Sequence, residues 1–133
     1  MLIKKKLKSV LYIDQDYHLL SLVSIVLTNM ANLNVHAYCN WRDVLAAAPT
    51  LRPDLLLVNT APEAAHDHGL LAALRLLPST AKTPVVFVTD MLSPADLARY
   101  ASQGGIGVIP KPLDVMGLPE HLLDLWETQQ QAA

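Results

Sequence analysis

The chain is 133 residues long, 52% hydrophobic, 5% aromatic and 17% charged, with a formal net charge of -2. That length suits one domain rather than two, with a core large enough to fold without a disulfide or a metal. The apolar fraction excludes a disordered chain, and the near-zero net charge argues against general binding to nucleic acid or an anionic membrane.

Lys4, Lys5, Lys6 and Lys8 form a positive lead-in that reads as solvated surface before the first strand. The apolar run 10–13 breaks at Asp14, too early for a signal peptide, and no segment approaches the length of a membrane span. A cytoplasmic domain is expected. The run 9–13 reads as a strand. From Asp16, a plausible N-cap, Leu19, Leu20, Val23, Val26, Leu27 and Met30 recur at helical spacing. Residues 33–38 read as a second strand with Val35 and Ala37 on one face, followed by Cys39. A single thiol gives no internal disulfide and reads as a small half-buried residue. Asn40 caps a short helix through Ala48, stopped by Pro49.

Residues 55–58 are unbroken Leu-Leu-Leu-Val ending at Asn59, the pattern of a strand buried on both faces. A polar loop over 60–69 carries Pro62, His66 and His68. An apolar helix is expected over 70–77 and a fourth strand over 84–89. Ser93, Pro94 and Asp96 supply an N-cap, a first-turn proline and an acid for a helix ending near Ser102, before Gly104 and Gly105. Val108 and Ile109 form a brief fifth strand before Pro110-Lys111-Pro112. A last helix begins near Leu118 and carries Leu122, Leu123, Leu125 and Trp126, so the core spans about 9–126. Residues 127–133 read as a tail or the start of a linker.

Five strands alternating with five helices predict an α/β fold, a doubly wound parallel sheet with right-handed crossovers. Sites in such sheets lie outside the carboxyl ends of the strands, which singles out Asp14, Gln15, Asp16, Asn59, Thr89 and Lys111. Asn59 follows Asp14 by 45 residues, Thr89 follows Asn59 by 30 and Lys111 follows Thr89 by 22. Four motifs in this order and spacing resemble a bacterial response-regulator receiver domain of the CheY-like type. The resemblance implies one receiver-like domain, a flavodoxin-like (βα)5 fold with strand order 2-1-3-4-5, and a place in two-component phosphorelay signalling.

The resemblance also implies roles. An Asp at the end of the third strand accepts a phosphoryl group from a histidine kinase, the acids after the first strand hold Mg²⁺, and the Thr and Lys contact the phosphoryl oxygens. This chain has Asn59 at the acceptor position, and an amide is no nucleophile for an acyl phosphate. Gln15 replaces the main metal-binding acid, leaving Asp14 and Asp16 as weak candidates for metal. Val108 stands at the switch position, where an aromatic is usual, and Lys111-Pro112 is a cis-peptide candidate. The expectation is a pseudo-receiver without the acceptor Asp, with no cofactor, little or no Mg²⁺, and Asp14 paired with Lys111.

Such a module would work through protein partners: a histidine kinase, an output domain or another regulator. A homodimer through the fourth helix, fifth strand and fifth helix would use Leu97, Tyr100, Ala101 and the last helix. No recognition helix for nucleic acid fits within these residues. Two alternatives stand. Asp16 could be a non-standard acceptor, or Asp14 the nucleophile of a haloacid-dehalogenase-like phosphatase, although no later acid pair follows Lys111. His66 and His68 read as solvated loop histidines rather than metal ligands. His18, His36 and His121 read as surface, and Trp41 and Trp126 as partial core anchors.

Overall fold

The computed structural model describes residues 5–59 and 67–132. The strands are β1 (Ser9–Ile13), β2 (Asn34–Tyr38), β3 (Leu55–Asn59), β4 (Val85–Thr89) and β5 (Gly105–Pro110). The helices are α1 (Tyr17–Ala31), α2 (Trp41–Ala47), α3 (Asp67–Arg75), α4 (Pro94–Ser102) and α5 (Leu118–Ala132). All strand pairs are parallel, as the alternation of elements predicts, and their order is β2-β1-β3-β4-β5, as the resemblance implies.

Successive strand residues point to opposite faces of the sheet, and here both faces are apolar. Val10, Tyr12, Leu55, Leu57, Val86, Val88 and Ile109 meet α1 and α5 through Leu20, Val23, Leu27, Leu118, Leu122 and Trp126. Leu11, Ile13, Leu56, Val58, Val85 and Phe87 meet α2, α3 and α4 through Val44, Leu70, Leu74 and Tyr100. Central strands buried twice explain the unbroken apolar runs.

Local capping follows the sequence. Asp16 Oδ1 accepts from the backbone N–H of His18 and Leu19, Asn40 Oδ1 from that of Asp43, and Ser93 Oγ from that of Asp96. Asn32 closes α1 in the left-handed conformation, at φ 54°.

Several expectations change. Met30 is 56% exposed, because the inward row Leu20, Val23, Leu27 continues four residues on to Ala31. Helix α3 starts at Asp67 and ends at Arg75, earlier at both ends than the apolar run suggests. Leu76 and Leu77 bond only to carbonyls three residues back, and Pro78 disfavours helical backbone at Leu77. Strand β5 starts at Gly105 rather than Val108. Gly105 reads as the stop of the preceding helix, yet Gly105 and Gly107 pair with Val85 and Val86 across a bulge. A Cβ on Gly107 would lie 2.6 Å from Leu125 Cδ2, so Leu125 of α5 packs directly over the glycine.

Helix α5 runs to Ala132 rather than fraying after Trp126, and its last turns hold the lead-in. Trp126 Nε1 donates to Lys5 O at 2.8 Å, and Lys5 N–H donates to Gln130 Oε1 at 3.2 Å. Lys5 is therefore not merely solvated, since its Nζ also lies 2.7 Å from Asp54 Oδ1.

Asp54 pins the start of β3 to β1. Its Oδ2 accepts from the backbone N–H of Lys8 at 2.9 Å and of Ser9 at 3.0 Å. Burial opposes its charge, but the Lys5 ammonium and the two N–H groups outweigh burial and hold the carboxyl below its ordinary value. A depressed folded-state value means stability present above about pH 4 and lost as pH falls through the folded value. Asp54→Ala is expected to lose about 1–2 kcal/mol at pH 7. Denaturant titrations across pH check this: the wild-type advantage should shrink on acidification and vanish where Asp54 is protonated in both states.

Candidate functional site

The carboxyl ends of β1, β3 and β5 border a cavity of about 370 Å³ lined by Asp14, Gln15, Asp16, Leu19, Asn59, Lys111, Pro112 and Leu113. Parallel pairing brings these ends together: Ile13 sits opposite Val58, one residue short of Asp14 and Asn59. Asp14 continues β1, its N–H donating to Tyr38 O at 3.1 Å. Lys111 extends β5 beyond Thr89, its N–H donating to Thr89 O at 3.0 Å, and the Lys111-Pro112 peptide is cis as expected.

Asp14 is the centre of the site and is 3% exposed. Its Oδ2 accepts from Tyr12 Oη at 2.6 Å and from Asn59 Nδ2 at 2.7 Å. Its Oδ1 accepts from the backbone N–H of Asp16 at 2.9 Å. Three donors thus satisfy one buried carboxylate, as a buried charge requires. Lys111 borders the same cavity.

Tyr12 was not among the sequence candidates. It precedes Asp14 by two residues on a strand and so shares its face, a signal available in the sequence. Burial first, then the hydrogen bond and charge of Asp14, push the Tyr12 phenol well above its ordinary value. Tyr12 therefore remains a donor at any working pH.

The carboxylates at the site are partly engaged within the chain. Mg²⁺ takes about six oxygen ligands, commonly one or two carboxylates with several waters, each through a free lone pair. Here Asp14 Oδ2 is doubly occupied, Asp16 Oδ1 is the cap of α1, and Gln15 is neutral and exposed. Among the described residues, no group of three His, Cys, Asp or Glu side chains is placed to hold a metal. His66 lies outside the described residues.

Thr89 is fully buried but does not line this cavity. It faces α4, with Oγ1 3.2 Å from Tyr100 Oη and accepting from Met91 N–H at 3.0 Å. Val108 lies on β5 in register with Phe87 and is half-buried. Tyr100 corrects the expected exposed face on α4. It is 3% exposed, its ring stacked on Phe87 at 4.5 Å, so Leu97 and Ala101 are exposed there without it.

Helix α1, beside the cavity, has the sequence YHLLSLVSIVLTNMA, with no Asp, Glu, Lys or Arg. It nevertheless exposes Tyr17, Leu22, Ile25 and Met30. No helix among the described residues is long and apolar enough to cross a membrane.

The sequence model of the family described as the response regulator receiver domain matches residues 10–123. No curated protein sequence matches the chain. Among solved structures, the chemotaxis response regulator CheY4 of Vibrio cholerae is similar at 22% identity and TM-score 0.76, covering 90% of this chain and 99% of that one. A CheY-like receiver domain protein from Methanospirillum hungatei JF-1 is similar at 21% identity and TM-score 0.75, covering 96% and 100%. A response regulator from Thermotoga maritima is similar at 17% identity and TM-score 0.74, covering 92% and 99%. At these identities the likeness is one of fold, a CheY-like flavodoxin fold.

Proposed function

The chain belongs to the response regulator receiver domain family, and on that premise we propose that it is a pseudo-receiver of two-component signalling, not phosphorylated in the usual way and acting by contact with other proteins. The observation that carries this reading is the bond from Asn59 Nδ2 to Asp14 Oδ2 at 2.7 Å. Phosphoryl acceptance needs a carboxylate that attacks phosphorus, with a cation to offset the developing charge. An amide at the end of β3 supplies no such nucleophile. By donating to Asp14, it also occupies the carboxylate nearest to it. The bond stabilises the charge on Asp14 from within the chain, through a neutral donor where a cation would otherwise sit.

The alternatives are less well supported. Asp16 is exposed but committed to capping α1. Asp14 as a phosphatase nucleophile would have to give up donors to a buried oxygen. A docking role is supported by α1, whose uncharged face suits an apolar, uncharged face of a protein partner such as a kinase, an output domain or another regulator.

Incubation with acetyl phosphate and Mg²⁺, followed by intact mass, tests the reading. No stoichiometric phosphoryl adduct is expected. An adduct abolished by replacing Asn59 would overturn the proposal, and one abolished by Asp16→Asn would make Asp16 the acceptor. Hydrolysis of an aryl phosphate lost in Asp14→Asn would identify an enzyme instead.

A further inference from the structure

We propose that Tyr100 is a latch: its hydroxyl holds the proton of the Thr89 hydroxyl on the α4 side of the sheet and so ties α4 to the end of β4. The inference does not depend on Asn59, because Tyr100 and Thr89 meet outside the Asp14 cavity.

Three bonds close a ring. Met91 N–H donates to Thr89 Oγ1 at 3.0 Å, and Tyr100 Oη lies 3.2 Å from both Thr89 Oγ1 and Met91 O. The proton placement follows from the inventory of each group. Met91 O can only accept, so the single Tyr100 proton goes there. The bond between the hydroxyls must then use the Thr89 proton, with Tyr100 accepting. Each hydroxyl proton in the ring is thus committed. For Thr89 to donate to anything in the strand-end cavity, Tyr100 must first let go.

The seat of Tyr100 is built for a large ring. Its ring stacks on Phe87 with an interplanar angle of 29°. Arg99 Cζ lies 5.2 Å from the ring centroid, over its face. A Cβ on Gly105 would come 2.6 Å from Tyr100 O and 3.2 Å from Phe87 Cε2, so α4 settles this closely only over glycine. Val108, beside Phe87 on β5, is aliphatic and offers Thr89 no competing hydroxyl.

Amide hydrogen exchange of the whole chain tests the latch. Tyr100→Phe keeps the ring and removes only the hydroxyl. Exchange over residues 90–97 is expected to accelerate about 10-fold, with the amides of β1 and β3 unchanged. Thr89→Val should accelerate the same segment, and the double variant should fall short of the product of the two single effects, because both remove one shared bond. The latch is overturned if Tyr100→Phe leaves the segment at the wild-type rate, if acceleration is uniform along the chain, or if the two effects multiply fully.

Discussion

An Asn59→Asp variant is expected to lose about 2–3 kcal/mol of stability at neutral pH and to become responsive to Mg²⁺, with no response expected of the wild-type chain. The substitution removes the donor at 2.7 Å from Asp14 Oδ2 and puts a carboxylate oxygen in its place. Asp14 is buried and Tyr12 still holds the same oxygen, so the two carboxylates cannot simply separate into solvent. Like charges at such range raise the value of one of them. A carboxyl raised in the folded state costs nothing well below about pH 4, where it is protonated in both states, and the cost grows as pH rises from there to the raised folded value, above which it is constant.

The variant also brings Asp14, Asp16 and a carboxylate at position 59 to one cavity, a donor set closer to what a divalent cation takes. Thermal melts over pH and Mg²⁺ concentration check the prediction. The variant should melt roughly 10 °C below wild type at pH 7.5 without metal, recover at low pH, and recover in part with Mg²⁺. A wild-type melting temperature that rises with Mg²⁺, or a variant as stable as wild type, would refute the account of Asn59 as an internal substitute for the cation.

The second large effect is expected at Arg75. Arg75→Ala should cost about 2–4 kcal/mol, with Arg75→Lys restoring little of it. Arg75 ends α3, and its guanidinium gathers three backbone carbonyls. Nη1 donates to Thr80 O at 2.8 Å and Thr83 O at 2.6 Å, and Nη2 donates to Gln103 O at 2.8 Å. One side chain thus ties the turn before β4 to the end of α4. Burial lowers the basicity of the guanidinium, but arginine remains charged, and charge-assisted bonds are the stronger kind.

Alanine leaves these carbonyls without that donor, and a lysine ammonium lacks the planar fork that reaches both turns. The site is also tight. Gly104 has φ +87°, and a Cβ there would lie 2.6 Å from Arg75 Nη2. Urea denaturation checks the effect, with a lower midpoint and an unchanged slope expected. A loss under about 1 kcal/mol would mean that water satisfies the carbonyls equally well.

Most of the architecture is legible in the sequence. The apolar runs ending at Asp14, Asn59 and Thr89 mark strands buried on both faces, and Asp16, Asn40 and Ser93 each announce a helix start. These signals are local, since a cap and the N–H it binds are two or three residues apart. Element ends were harder to read where a local rule pointed the wrong way. Gly105 reads as the stop after α4 but lies in β5, where a Cβ would come 2.6 Å from Tyr100 O of α4. The glutamines of α5 read as a tail, but the helix continues through them, and Gln130 binds the lead-in.

By itself the sequence determined the α/β alternation, the caps, and the meeting of Asp14, Asn59 and Lys111 at one end of the sheet. Only the tertiary structure decided which atoms those residues bind. The Asn59 amide reaches Asp14 across 45 residues, Arg75 reaches Gln103 across 28, and Trp126 reaches Lys5 across 121. Thr89 turns to Tyr100, 11 residues on, and away from the cavity its spacing suggested. Periodicity and capping are properties of neighbouring residues and can be read along a chain. A donor finds its acceptor only once packing has excluded water and left each buried polar group one place to go.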